Sequence, residues 1–531
     1  MARVDPGDDW PDDTDRQHSL SAALREMPRW LGEWVAAAPW RSLAPDASIL
    51  VVARAHVRQG AATCDTWNRP PGSGQLALPC IDIFVRGKVS EHVSFHPDVT
   101  IERLSAGSES VRAQLLLSEA LRAELDLQGA GALEVSWPLA ALRAGNANRF
   151  SGLTVDTVLL DLAWLLRAGG VTSGRLDELS ARRDSDLRRE DDRLQERSQR
   201  LRDDFGSALR ATSRPGDLGV LAGPLDEAII DHGLEHFGAR IREVARPAIA
   251  ITTAGPGDKL LVGASRMGGP PDLPPNVAWP SGERGLFSFL IQLDLKRLPT
   301  LPNSPLPAHG LLSVFLGSND HAREVEHRVL YFERGPFRRV AAPAEPKWQD
   351  DDTGLLPARA LAFQSVIDLP AYQSDGFDYL DLYSDNEDGA GADDYFGLQD
   401  HYKPEGADAV SVLLGAGGRT AGEAYFKGVG REDLRVKDRA QLIAELATAR
   451  VARDPAAVAR CERRIADFDW WEERRAEVAR GIQDWITLLR LDSHADASMC
   501  FWDAGTLEII IRREDLAARR FDRTWAAIES G

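Results

Sequence analysis

Hydrophobic positions recur along this chain with two spacings. From Ser19 onward, Leu20, Leu24, Met27, Trp30, Leu31 and Trp34 fall three or four residues apart, which places them on one face and predicts a helix docked on a core. Apolar and β-branched clusters at 48–55 and 80–86, with a shorter run at 92–95, predict strands. Helical patterns return over 108–127 and 155–168. Residues 1–18 are rich in Asp and poor in apolar side chains, the composition of a mobile acidic tail. The expectation is an N-terminal α/β or α+β domain over 19–170.

Between 175 and 209 the pattern is that of a highly charged helix in which Leu187, Leu194 and Leu201 recur every seven residues. One apolar residue per heptad is too thin a seam for a coiled coil, so 171–222 is expected to be a solvated helical linker. Ser213-Arg-Pro-Gly-Asp reads as a turn and 225–239 as a helix entering a second domain, 223–531. Within that domain, residues 360–402 contain no Lys or Arg, while Asp375, Asp378, Asp381, Asp385 and Asp388 accumulate among Tyr372, Tyr379, Tyr383 and Tyr395. Further on, 437–450 and 456–489 predict a helical hairpin over 437–489 that turns at Asp454-Pro455.

Composition narrows the class. At 531 residues the chain exceeds what one core organises, about 250–300 residues, and 43% hydrophobic with 27% charged side chains is the balance of a folded globular protein. The apolar stretch 153–169 is interrupted by Asp156, Asp161 and Arg167, which argues against a bilayer span, and the acidic start lacks the features of a secretory signal. Cys64, Cys80, Cys461 and Cys500 are scattered, a pattern that favours a reducing, cytoplasmic compartment. The net charge of −19 repels phosphate backbones and anionic lipid surfaces, so neither nucleic acid nor membrane is expected as a partner; it would favour encounter with a basic protein.

Candidate chemistry is sparse. Gly415-Ala-Gly-Gly-Arg-Thr-Ala-Gly lacks the glycine spacing of a dinucleotide loop and the Gly-Lys of a nucleotide-triphosphate loop, so it reads as a hairpin or surface loop. The acidic segment misses the Ca²⁺-loop pattern, since the turn glycine would fall on Ala390. The pairs His92/His96 and His321/His327 have no third ligand at zinc spacing. No cofactor, metal or catalytic residue is assigned. The interleaved Tyr and Asp side chains, Tyr379, Asp381, Tyr383, Asp385 and Asp388, suit instead a docking surface for a basic partner.

The run Gly263-Ala-Ser-Arg-Met-Gly-Gly-Pro-Pro-Asp-Leu-Pro-Pro-Asn-Val-Ala-Trp-Pro, followed by Leu286-Phe-Ser-Phe-Leu-Ile-Gln-Leu-Asp-Leu, resembles the opening of the YwqG-like family of bacterial proteins. Gly310-Leu-Leu-Ser-Val-Phe, Arg328-Val-Leu-Tyr-Phe, Trp502-Asp-Ala-Gly-Thr-Leu, Ile511-Arg-Arg-Glu-Asp-Leu and Arg520-Phe-Asp extend the resemblance over roughly 248–525. Where relatives often carry Trp-Gly-Asp, this chain has Phe501-Trp502-Asp503. The resemblance implies an α+β fold with a mixed sheet and helical insertion, and no established reaction; some members stand beside toxin genes. It also places Arg266, Gln292, Asp294, Trp502 and Asp503 near strand ends, where they would line a ligand or peptide groove. Two expectations follow. The first is a non-enzymatic protein-binding role, that of an immunity or antitoxin-like protein neutralising a basic effector; the second is an enzyme or small-ligand-binding protein using a polar pocket.

Overall fold

The computed structural model describes residues 40–43, 49–59, 62–64, 76–85, 88–96, 98–107, 109–145, 155–212, 218–282, 285–317, 325–342, 356–383, 390–451 and 453–529. The tail 1–18, the helix expected from Ser19, and Asp385, Asp388 and His321 lie outside them. By internal contacts the chain divides into two compact units, Met1–Arg197 with Lys437–Ile465, and Ser198–Val436 with Ala466–Gly531. Among the described residues no helix is long and apolar enough to cross a membrane.

The first unit holds two antiparallel sheets. Trp40–Leu43, Ile49–Gln59, Leu76–Val85 and Lys88–Ser94 pair in that order, with Ala62–Cys64 beside Ile49–Gln59; Val99–Ala106, Ser110–Leu117 and Leu133–Pro138 form a three-stranded meander. Antiparallel pairing makes this region α+β rather than α/β. Residues 110–117, expected to be helical, form a strand because Val111, Ala113, Leu115 and Leu117 are buried at every second position and the residues between them are not. The helix falls only on Glu119–Glu124, capped by Ser118. Helix Val155–Ala168 buries Leu162, Leu165 and Leu166, and its Leu165 carbonyl accepts from Trp137 Nε1 at 2.7 Å. Helices Arg439–Val451 and Pro455–Glu473 meet at Asp454, whose carboxylate caps the second through the Ala456 and Ala457 amides, with proline at the first helical position.

The helix Gly174–Thr212 runs across the division between the units. Its middle is solvated, with Leu194 43% exposed, as a one-residue-per-heptad pattern requires.

The second unit is organised by a ten-stranded sheet in the order His327–Phe332, Leu311–Leu316, Ser288–Asp294, Arg266–Met267, Arg359–Asp368, Arg246–Pro256, Ser411–Leu413, Trp485–Asp492, Thr506–Arg512, Trp525–Glu529. The expected α+β class holds, but the pairing is antiparallel throughout rather than mixed. At both ends of the sheet, strands that follow one another in sequence lie side by side and run in opposite directions. The two outer strands approach each other, and the Val325 amide donates to the Ala526 carbonyl at 3.1 Å, so the sheet nearly closes. One face carries the main core, including Ile251, Leu293, Leu312, Leu489, Phe501 and Ile509. A second core packs Leu225, Ile229, Ile241, Leu380, Tyr395 and Leu398 with the start of Ile367–Leu382. Each fully buried side chain of this kind contributes about 1.5–3 kcal/mol.

Two expected helices end early. Residues 225–239 break at Gly233, where φ is +68°, into Ala222–Asp231 and Gly238–Val244. The helix expected to reach 489 stops with Arg475–Gln483, because Ile486 to Leu491 pair with Thr506–Arg512 and bury Leu488, Leu489 and Leu491 in the sheet core. An apolar run this short fits a helix or a strand equally well until a partner strand is placed beside it.

Candidate functional site

The prolines from Pro270 to Pro280 and the two glycines before them anchor one edge of the site-bearing unit. Gly268 and Gly269 have φ of +63° and +69°, angles that L-residues with a Cβ rarely adopt. The loop they open is held by a buried polar network. Asp272, fully buried, accepts from the Gly263 amide at 2.8 Å, from Gln292 Nε2 at 2.9 Å, from Arg339 Nε at 3.1 Å, and from Arg266 through its ion pair. Gln292 in turn accepts the Asp272 amide at 2.8 Å and donates to the Ala264 carbonyl at 2.7 Å. Burial lowers the Arg266 pKa to about 10, so the guanidinium remains charged at neutral pH.

This corrects the expected groove. Arg266 and Gln292 are 1% and 0% exposed and bonded to the protein, so they cannot line an open surface. Asp294 caps the turn Leu295–Arg297 through the Lys296 amide at 3.2 Å. Trp502 and Asp503 lie on the exposed turn after Phe501, with Trp502 at φ +52°. The hub of the network, Asp272, escaped the sequence reading; its signal was that it is the one charged residue in the proline run.

The glycine-rich segment also differs from expectation. It joins strand Ser411–Leu413 to helix Thr420–Gly428, so it is not a hairpin; it is buried through Ala416 and reaches the surface at Gly417 and Arg419. A Cβ on Gly415 would meet Asp368 Oδ2, one on Gly418 would come within 2.5 Å of Glu508 Oε2, and one on Gly422 would meet Arg435. The glycines therefore make room for the protein's own charges. The loop amides are committed likewise: Ala416 donates to Asp368 at 2.7 Å and Gly418 to Glu508 at 3.0 Å, so neither is left for a phosphate.

The other chemical candidates are engaged within the protein. Ser411 Oγ and His494 Nε2 stand 2.9 Å apart, a nucleophile–base distance, but both residues are buried, and burial lowers the pKa of His494. His327 uses both ring nitrogens, on the Val325 carbonyl and Thr524 Oγ1, each at 2.8 Å. His96 Nδ1 accepts the Asp98 amide. Among the described residues no group of three or more His, Cys, Asp and Glu is placed to hold a metal ion.

One cavity that the second unit holds open, of about 370 Å³, lies between the C-terminal part of helix Gly174–Thr212, the segment Tyr372–Tyr383, Arg435-Val436 and the stretch Trp471–Gln483. Its apolar lining comes from Phe205, Tyr372, Phe377, Tyr379, Tyr383, Trp471, Val478 and Ile482. Gly206, in mid-helix, costs about 1 kcal/mol of helix propensity and has a local reason: a Cβ there would lie 2.7 Å from the Tyr379 ring. Ser374 caps helix Asp375–Leu380, and Asp375 and Asp378 in its first turn face the positive end of the helix dipole. Asp381 ends that helix in the left-handed conformation, φ +59°, which Asp tolerates better than most residues.

The charges around the cavity pair off. Arg202 meets Asp381 at 2.8 Å, Arg435 meets Asp375 at 2.7 Å, and Arg475 meets Asp204 at 2.8 Å. Burial works against the charge on Arg435, but Asp375 and Asp433 outweigh it and raise its pKa. The fourth carboxylate of the lining, Asp378, makes no ion pair among the described residues. Its pKa is raised, first by the protein packed around it and then by Asp375, against the pull of Arg419, Arg202 and Arg435; the side chain still reaches solvent. Tyr379 is buried and donates from its hydroxyl to Glu243, while Tyr372 and Tyr383 are 56% and 54% exposed.

Of the expected site residues, then, Tyr379, Asp381 and Tyr383 meet at this cavity, and Arg266, Gln292, Asp294, Trp502 and Asp503 are not part of its lining. Two carboxylates of the acidic segment at the cavity, Asp375 and Asp381, are matched from within the protein, by Arg435 and Arg202. Arg202, Arg435 and Arg475 come from three segments far apart in the chain, and no local pattern ties them to the Tyr and Asp residues.

An antiparallel sheet that nearly closes, covered by helices and entered through a proline-rich loop, is the frame of this unit. Residues 265–529 match the family described as a domain of unknown function (DUF1963), and through them the chain belongs to that family, in agreement with the YwqG-like resemblance. No curated protein matches the chain. Most of the cavity lining falls within the matched residues, and the wall formed by Arg202, Asp204 and Phe205 falls outside them.

Proposed function

We propose that this is a non-enzymatic binding protein whose DUF1963 unit takes a small organic ligand into the cavity beside Tyr379. The observation that carries the reading is a space of about 370 Å³, walled by aromatic and aliphatic side chains and edged by charged groups. Ligand sites of about 300–1,000 Å³ have this make-up, with a few polar groups that orient the guest. A cavity-filling variant, Ala479→Phe, tests it. A fragment screen read by ligand-observed NMR should give hits on the wild-type protein that disappear in the variant. Hits that survive the filling place the binding elsewhere and end the proposal.

A basic protein partner, such as an immunity or antitoxin-like protein would neutralise, is the second reading. The exposed rings of Tyr372 and Tyr383 at the cavity and the net charge of −19 favour it. Here Tyr383→Ala with Tyr372→Ala should abolish binding of a purified basic effector, measured by surface plasmon resonance, while small fragments still enter. Unchanged effector binding by the double variant would remove this reading.

A further inference from the structure

Resting on the small-ligand reading above, the geometry points to the class of ligand: we propose that the cavity takes an organic molecule carrying one positive charge, and that Asp378 is the group that receives it. Three guanidiniums and four carboxylates line the space. Each guanidinium is already held by carboxylates, Arg202 by Asp381, Arg435 by Asp375 and Asp433, and Arg475 by Asp204 and Glu472, so none is available to take an anion without losing a partner. An incoming anion that took over one of these guanidiniums would leave the displaced carboxylate unmatched beside it. Of the four lining carboxylates, Asp378 is the one that makes no ion pair among the described residues.

The surrounding surface suits the same guest. Aromatic rings present negative faces that attract cations, and Tyr372, Tyr379, Tyr383 and Trp471 all line this space. An inorganic divalent ion fits poorly, because it calls for about six to eight oxygen ligands and only one carboxylate here is free of an ion pair. A compact organic cation, a guanidinium or a substituted ammonium with an apolar body, uses both the rings and the single carboxylate. Such a group occurs on a free metabolite and on an arginine side chain, and the two sources are separable by experiment.

The test uses the full chain and two probes of nearly the same shape, butylguanidinium and its neutral counterpart butylurea, with binding read by isothermal titration calorimetry and by Trp fluorescence. The expected result is that wild-type protein prefers butylguanidinium by about ten-fold or more, that Asp378→Asn brings the ratio to about one, and that Asp378→Glu restores it. Thermal unfolding of each variant confirms that the fold is kept. The capped tripeptide acetyl-Gly-Arg-Gly-amide binding more tightly than butylguanidinium assigns the cation to a peptide and overturns the small-ligand form of the proposal; weaker binding supports it. If butylurea binds as well as butylguanidinium, or if Asp378→Asn keeps the preference, the charge assignment is wrong while the ligand site stands. If neither probe binds, the inference falls, and a fragment screen that still gives hits lost in Ala479→Phe shows that the ligand site does not fall with it.

Discussion

Two groups of charges in the DUF1963 unit are made from the same kinds of side chain and end in different states. Around Asp272, the carboxylate is sealed from water and receives Arg266, Arg339, Gln292 and a backbone amide, so its acceptor capacity is used. Around the cavity, three such pairs form at the edge of solvent and a fourth carboxylate is left over. A complete set of partners, closed off from water, holds a loop on a sheet and does nothing further. An incomplete set beside open space leaves a charge for something outside the protein to neutralise. What separates architecture from a candidate site here is thus the remainder after pairing and access to it, since residue type is the same in both.

The largest effect should come from breaking the closed set. Asp272→Asn leaves the buried Arg266 guanidinium without its counter-charge and should cost about 3–5 kcal/mol in urea denaturation, with part recovered when Arg266→Met is added. A loss under about 1 kcal/mol would mean that the network does not hold the proline loop. Next come the glycines that make room for charge. Gly418→Ala forces a methyl against the buried Glu508 carboxylate and should cost about 1–3 kcal/mol, whereas Gly417→Ala, whose nearest neighbour would be Thr487 Oγ1 at 3.8 Å, should stay within about 0.5 kcal/mol. Equal costs at the two positions would show that the loop is constrained by something other than Glu508.

Acid should act through the buried histidines. Burial lowers the pKa of His96, His327 and His494 below 6.5, so in that window the unfolded chain binds protons that the folded one does not. Stability is therefore full above about pH 6.5 and falls as the pH drops toward the folded-state values, by at most about 1.4 kcal/mol per pH unit for each histidine. Chemical denaturation at a series of pH values measures the slope, and His494→Gln should flatten it. The smallest effect on stability belongs to the open set. Asp378→Asn should change stability by no more than about 0.5 kcal/mol, while Asp381→Asn, which releases Arg202, costs more. The cation preference of the cavity should grow as the pH rises through the raised pKa of Asp378, a value set with Asp375, Arg419, Arg202 and Arg435 facing it. Calorimetric titrations that give the same preference on both sides of that transition would separate Asp378 from the binding.

Much of the fold was legible in the sequence where its signals are local. The Gly-Gly and proline run, strand Ser288–Asp294 and the turn at Asp454-Pro455 each declare themselves within a dozen residues. The mistakes fall where one pattern admits two structures. Residues 110–117 and 485–492 carry apolar side chains that satisfy a helix or a strand, and only the neighbouring strands decided between them. The acidic segment is the clearest case for the site: read alone it is a bare negative surface, whereas in the fold Asp368, Asp375 and Asp381 are each paired with an arginine from elsewhere in the chain.

By itself the sequence determined the family, the α+β class and the exposed middle of the long charged helix, because composition, spacing and backbone preference act over short stretches of chain. Only the tertiary structure decided which charges are spent on one another. Pairing depends on distances of about 3 Å between residues such as Arg202, Arg435 and Arg475 and carboxylates up to 271 positions away, and that proximity is created by folding.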